Sequence, residues 1–251
     1  MGVIEIGLTL ILVFCCALLS WRLNHQLERD LILGTFRNII QLIFLGFALT
    51  WIFKNSTLAL SLSVGMVMTL NAAIHIKSRT NLNYRGIFLD NLIAIILAIW
   101  PFALFGSYLF KNKLWWEASQ FLPLLGMLLA NGLSSISIGT GQFGHDIRDK
   151  KEEILSLVAL GATTQEATLT IFSKCLRSAM TPNLNAMLSM GLVSIPGMMT
   201  GQVMAGISPQ VAAFHQIVLM LLIICTSYLG TLAGLLSARR RMFNKLGQPC
   251  F

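Results

Sequence analysis

Few side chains in this sequence could do chemistry, and those few sit inside apolar runs. Pro196-Gly197 precedes two thioethers, Met198 and Met199, with Met187, Met190 and Met204 nearby. Proline and glycine in an apolar helix free backbone carbonyls and break or kink it, which is tolerated where the backbone is buried or lines a cavity. Thioethers suit soft metals, and they also serve as flexible filling between helices. With 12 methionines in the chain, filling is the simpler reading of Met198 and Met199. Arg37, Gln41 and Leu45 share one helical face at i, i+4 and i+8, with Asn38 beside them. Asn71 and His75, Asp90 with Asn91, and Asn131 complete the polar set. A charge at the centre of a membrane helix costs about 2.5–3.5 kcal/mol on insertion scales, so intramembrane polar groups are functional candidates by default. Gln41, Asn71, Asn131, Met198 and Met199 are therefore candidates for a translocation path, and Arg37 and Asp90 for a buried charge interaction. Two plainer roles stand beside these. Arg37 can snorkel to the membrane surface, and Asp90, near Arg85, can complement a helix N-terminus. His75 reads as an interfacial histidine.

No catalytic constellation can be built from this sequence. It lacks a phosphate-binding G-x-x-x-x-G-K-[ST], paired metal-ligand histidines, C-x-x-C and a serine elbow. His25, His75, His145 and His215 are far apart, and no metal ligand set can be assigned. The chain is expected not to be an enzyme and to bind no cofactor itself. If ATP drives its work, ATP and Mg must sit on a partner chain.

The elements that carry these residues follow from composition. The 251 residues are 55% hydrophobic and 11% charged, with mean hydropathy +0.74. Soluble domains carry about 25% charged residues, so an all-α integral membrane protein is expected. A spanning helix takes ~20 apolar residues. Seven apolar runs can be marked: Val3–Trp21, Leu31–Phe53, Thr57–Ile76, Phe88–Phe110, Phe121–Thr140, Leu184–Gly206 and Ala212–Leu236. Odd-numbered loops and the tail hold 14 of the 18 Lys and Arg, and even-numbered loops hold 3. The positive-inside rule then places the N-terminus outside and the C-terminus in the cytoplasm. Trp51, Trp100, Trp115 and Trp116 fall near outer span ends, as an aromatic belt would. The net charge of +8 reads as basic loops on an anionic leaflet, not as a nucleic-acid surface. Cys15, Cys16, Cys175, Cys225 and Cys250 lack framework spacing and read as buried free thiols. The first run, without a basic leader or cleavage site, reads as a retained span. The whole chain, 1–251, is expected to form one transmembrane domain.

The loop between spans five and six, about 141–182, is long enough to do more than turn. Ile154, Leu157, Val158 and Gly161 share a helical face behind a charged turn that includes Glu152 and Glu153. Gly161 sits at the left-handed position that ends a helix. Thr163 with Glu166 forms a capping box for the next helix. Leu169, Phe172, Leu176 and Ala179 line one side of that helix, and Pro182 is expected to end or kink it. The product is a helix, an elbow at Leu160-Gly161-Ala162-Thr163, and a second helix. Two readings are open: interfacial helices on lipid, or a docking element for a soluble partner. Gly161, nine residues, then Ile171 matches the later part of the permease "EAA" signature, although Ser173-Lys174 replaces its Leu-Pro. In span five, Gly126, Ala130 and Ser134 form a small-residue stripe that permits close helix approach. Asn131, Ser135 and Gly139 form a polar stripe beside it. A helix seam and a hydrophilic path both fit.

Several strings together resemble a known family. They are Arg37 with Ile39-Ile40-Gln41-Leu42, Asn71-Ala72-Ala73, Gly126-Met127 with Ala130-Asn131, Leu160-Gly161-Ala162-Thr163, Gly191-Leu192-Val193-Ser194, Pro196-Gly197-Met198-Met199 with Gly201, and Ala205-Gly206-Ile207 with Pro209. From about Leu12 to Arg241 the chain resembles the FetB-type permeases. These are small membrane subunits of bacterial ABC transporters associated with iron export, related to plant aluminium-tolerance permeases. The resemblance implies a homodimer in the bacterial inner membrane, paired with two ATP-binding cassette subunits. It implies that Glu152, Glu153, Leu157, Gly161 and Ala162 belong to a coupling helix. Its implied cargo is iron or another metal ion; a sugar nucleotide or other small solute is the alternative. A self-contained channel or secondary carrier, and a non-transporting membrane scaffold or assembly factor, are the rival readings from other classes.

Overall fold

The computed structural model describes residues 3–24, 26–80, 86–110 and 116–244, with side chains from residue 7 onward. His25, Arg85, Lys111, Lys113, Trp115, Lys245 and Cys250 lie outside the described residues. All the regular structure described is helical: α1 (Val3–Arg22), α2 (Glu28–Lys54), α3 (Leu58–Arg79), α4 (Ile87–Leu109), α5 (Ala118–Asp149), α6 (Lys151–Ala159), α7 (Thr164–Ser189), α8 (Gly197–Met204) and α9 (Pro209–Met242). Five of these, α2, α3, α4, α5 and α9, are long and apolar enough to cross a membrane. The described part of α1 from Gly7 to Arg22 is a shorter apolar helix.

The chain divides into two compact units, Met1–Asn55 and Ser56–Phe251. In the first, α1 and α2 pack together. Ser20 bridges their connection, accepting from Leu27 N at 3.2 Å and donating to Glu28 Oε2 at 3.4 Å. In the second unit α5 and α9 form the central pair, flanked by α3, α4 and α7. Glycines set how close these helices lie. A Cβ on Gly106 would stand 2.6 Å from Leu222 Cδ1, and one on Gly139 2.7 Å from Thr231 Cγ2.

The expected spans are changed at two places. α5 does not stop at Thr140 but continues to Asp149 as one helix, because Phe143, Gly144 and Ile147 keep a buried face beyond the apolar run. The run Leu184–Gly206 is not one helix. α7 continues through Pro182, which does not end it, and stops at Ser189. The break spans 190–196, where Gly191 takes φ +85° and its N–H donates to Ser194 O at 2.9 Å. Pro196 then N-caps α8, whose first residue is Gly197. Proline has no N–H to leave unpaired at a helix start, so the Pro-Gly pair begins a short helix here and does not kink a long one.

The small-residue stripe also turns out differently. Ala130 and Ser134 are exposed within the chain, whereas Gly132, Ser135 and Gly139 are buried. The intrachain seam of α5 therefore runs along Gly132, Ser135 and Gly139. Of the four-residue stripe, Gly126 is half-buried, where a Cβ would meet Met68 Cε at 3.2 Å, and only Ala130 and Ser134 face outward.

Candidate functional site

The elbow after α6 is closed by backbone hydrogen bonds. Gly161 takes φ +97°. Its N–H donates to Val158 O, and Ala162 N–H donates to Leu157 O, both at 3.0 Å. This double closure needs a left-handed residue at Gly161, which glycine adopts at no steric cost. Thr163 then starts α7 with a complete capping box. Its N–H donates to Glu166 Oε2 at 2.8 Å and its hydroxyl to the same oxygen at 2.7 Å. Glu166 N–H returns to Thr163 Oγ1 at 3.3 Å. The Thr163 hydroxyl first, and its backbone N–H second, hold the Glu166 carboxyl below the usual glutamate range.

A nine-residue helix such as α6 is marginal alone, since isolated helices need ~12–15 residues. It is anchored by Ile154, 1% exposed, in a core with Phe143, Ile147, Ile171, Phe172, Leu235 and Met242. Burying one such side chain contributes roughly 1.5–3 kcal/mol. Phe143 and Phe172 meet edge-to-face at 6.2 Å. Cys175 lies fully buried in the same core, and burial pushes its thiol up to about 12. Outside this core Lys174 Nζ donates to Asp146 Oδ2 at 2.9 Å, which raises the Lys174 pKa. The buried face of α7 runs through Ala167, Ile171, Phe172, Cys175 and Ala179, while Leu169 points outward at 59% exposure. Of the expected α6 face, Ile154 and half-buried Val158 turn inward and Leu157 outward. Glu152, Glu153 and Gly161 are exposed, and Ala162 is half-buried. Glu153 pairs with Lys150 at 2.9 Å. Leu160, which the sequence placed only in the elbow, projects at 86% exposure. The elbow thus presents Leu157 and Leu160 beside acidic side chains, on a base that cannot rotate freely.

The candidates for a path are not gathered in one place. Met198 and Met199, adjacent on α8, line different cavities. Met198 borders one of about 320 Å³ with Met127, Gln120, Gln202 and His215. Met199 borders one of about 260 Å³ with Met187, Met190, Gln216 and Met220. Gln41, Asn71 and Asn131 line neither cavity. Gln41 and Arg37 lie on exposed positions of α2 in the first unit. Asn71 and Asn131 are each bonded within their own helix, donating to Val67 O at 2.9 Å and Met127 O at 2.8 Å. Asp90, with 12% of its side chain exposed, pairs with Arg241, whose Nε is 3.3 Å from its Oδ2.

Linear spacing missed the polar groups around α8. The fold-back at 190–208 lays α8 against the start of α9, so Gln202 Oε1 stands 3.3 Å from His215 Nδ1. The His215 ring meets Phe110 edge-on at 5.0 Å. Spacing missed Asn183 as well. Its buried amide donates to Ser135 Oγ at 3.1 Å and Ser227 Oγ at 2.8 Å, joining α7, α5 and α9.

These features define a multi-span helical membrane protein with a capped elbow between two of its helices. The model of the uncharacterised protein family UPF0014 matches residues 3–243, so the chain belongs to that family. It is 27% identical over 244 residues to the "Probable iron export permease protein FetB" of Escherichia coli, covering 97% of this chain and 93% of that protein. It is 32% identical to the "UPF0014 membrane protein slr1647" of Synechocystis, covering 91% and 88%. It is 30% identical to "Protein ALUMINUM SENSITIVE 3" of Arabidopsis thaliana, covering 87% and 79%. No solved structure matches the chain.

Proposed function

We propose that this chain is the permease subunit of an ABC-type exporter in a bacterial inner membrane, with iron or another metal ion as cargo. It works as a homodimer with the N-terminus outside and the elbow and C-terminus in the cytoplasm. The ATP-binding cassette subunit, holding ATP and Mg, docks on α6 and the elbow around 150–163. The observation that carries this reading is the elbow itself. Ile154 fixes α6 to the core of α5, α7 and α9 while Leu157 and Leu160 project. A partner that moves this lever moves packed helices as a rigid body, which is how closure at one site reaches another. Export of iron is carried over from the name of the Escherichia coli relative.

The test is co-purification in mild detergent from cells of the source organism, with tagged wild-type and Gly161→Asp chains, followed by an ATPase assay. Recovery of an ATPase with the wild type, and its loss or uncoupling in the variant, supports the reading. Iron stimulation of the hydrolysis then supports the cargo. A membrane chain recovered alone that moves ions in liposomes without ATP overturns the reading in favour of a self-contained carrier. Stimulation by a sugar nucleotide and not by metals overturns only the cargo.

A further inference from the structure

The second cavity differs in kind from the first. Four of its ten lining residues are methionines, Met187, Met190, Met199 and Met220, in a chain with 12 methionines among 251 residues. They come from three elements: Met187 and Met190 from the end of α7, Met199 from α8, and Met220 from α9. Their convergence is a product of the fold and not of helical spacing. The four methionines border a groove of about 260 Å³ that opens to the surface beside exposed Ile217 and Leu221, so they are not filling a closed core.

One polar group faces the same cavity. Gln216, 7% exposed, stands one turn before Met220 on α9. Its Nε2 donates to Met190 Sδ at 3.6 Å, and its Oε1 is buried with no hydrogen-bond partner. That oxygen is sealed from the open cavity, so the donors the cavity offers are the methionine sulfurs.

The donor set selects the cation. Ca²⁺ and Mg²⁺ need several oxygen ligands and usually carboxylates, and none of the side chains lining this cavity is a carboxylate. Without a carboxylate, a divalent charge would be poorly compensated at a largely apolar site. Uncharged thioethers select soft ions, Cu(I) above all among biological metals. We propose that the cavity between α7, α8 and α9 is a binding site for a soft monovalent cation of the Cu(I) and Ag(I) class. Met187, Met190, Met199 and Met220 supply the sulfur ligands. The site stands on this chain alone and does not depend on an ATPase partner or on the cargo proposed above.

The test is Ag(I) titration of the purified full chain in detergent, in a background where the cysteines are replaced by Ser or Ala so that thiols cannot compete. A parallel Cu(I) titration uses competition with a chromogenic chelator. The expected result is one equivalent bound per chain. Affinity should fall at least tenfold in Met190→Leu and Met199→Leu, and binding should vanish when all four methionines are Leu. Leu conserves volume and is usually tolerated in place of Met, and unchanged helical circular dichroism and gel-filtration profile identify variants that still fold. X-ray absorption of the Cu(I) form should show thioether sulfur ligands. Equal Ag(I) binding by the folded four-Leu variant overturns the proposal. So does Fe(II) or Mn(II) binding that is tighter than Ag(I) and lost with the same methionines.

Discussion

Arg241 Nε stands 3.3 Å from Asp90 Oδ2, joining the last turn of α9 to the first turn of α4 across 151 residues of sequence. Each residue also opposes the partial charge of its own helix end, acid at an N-terminus and base at a C-terminus. Arg241 keeps 57% of its side chain exposed, so the pair is screened. Arg241→Ala should cost about 1 kcal/mol or less. Thermal unfolding in detergent measures it, and a double-mutant cycle isolates the pair. Asp90→Asn in the Arg241→Ala background should add little further loss. Fully additive losses would show that the contact contributes nothing.

The central helices should be sensitive to volume at one glycine in particular. A Cβ at Gly139 would meet Thr231 Cγ2 at 2.7 Å and Ala179 Cβ at 3.2 Å, short side chains with little room to move. At Gly132 the nearest atom is Ile99 Cδ1, also at 2.7 Å, but at the end of a flexible chain. Gly139→Ala should therefore destabilise by about 1–3 kcal/mol, the usual cost of overpacking, and Gly132→Ala by clearly less. Detergent melting curves of the two variants decide it, and a reversed order would contradict the packing.

Much of the architecture was legible because it rests on local rules. Gly161 and Thr163–Glu166 are short local signals, and the elbow forms where they place it. The five long apolar helices follow from hydropathy. What could not be read depends on tertiary approach. Ser134 and Ser135 are adjacent and chemically identical, and only the contacts of α5 with α7 and α9 decide that Ser135 is buried. Pro182 looks like a stop but lies inside α7, because neighbouring helices hold the turn around it. Pro196 looks like a kink but starts α8, because α7 has already ended at Ser189 and a turn through left-handed Gly191 separates the two helices. The gathering of Met187, Met199 and Met220 needs that break too.

Asn183 joins three helices through buried hydroxyls, at 3.1 Å to Ser135 and 2.8 Å to Ser227. Replacing it with Leu leaves both serines without this partner and forces a branched side chain into the seam. A loss of about 2–4 kcal/mol is expected from unpaired buried polar groups together with overpacking. Adding Ser135→Ala and Ser227→Ala to Asn183→Leu should recover part of it. Thermal melting of the single and triple variants provides the check, and no recovery would mean that shape, not hydrogen bonding, dominates this site.

The capping box makes the elbow sensitive to acid. The folded Glu166 has its pKa lowered from 4.5 by Thr163. A depressed carboxylate contributes stability that is complete above the unfolded value and is lost as pH falls through the folded one. The start of α7 should therefore be fully capped at neutral pH and loosen below about 4.5. Hydrogen exchange at the Thr163 and Glu166 amides should accelerate, relative to intrinsic rates, over that range. Glu166→Gln should remove this acid-dependent step, and a step that persists in it must come from another group. Thr163→Val, which keeps the backbone N–H bond to Glu166, should only reduce it.

At Gly161 the backbone takes φ +97°, and an added Cβ would meet nothing within 4 Å. Substitution there is penalised by backbone conformation alone, not by a clash. Left-handed backbone costs non-glycine residues about 1–2 kcal/mol, with Asn the best tolerated. The double closure onto Leu157 and Val158 should therefore weaken in the order wild type, Gly161→Asn, Gly161→Ala, Gly161→Val. Because Ile154 and the α7 core lie outside the strained residue, all four chains should insert and melt alike within about 2 kcal/mol. Exchange of the amides at positions 161 and 162 reports the elbow directly. On the ABC permease reading, ATPase recovery should fall in the same order. A Gly161→Val chain with wild-type exchange would remove the strain argument. One with loosened exchange but full coupling would leave the elbow intact as structure and remove it from the transport mechanism.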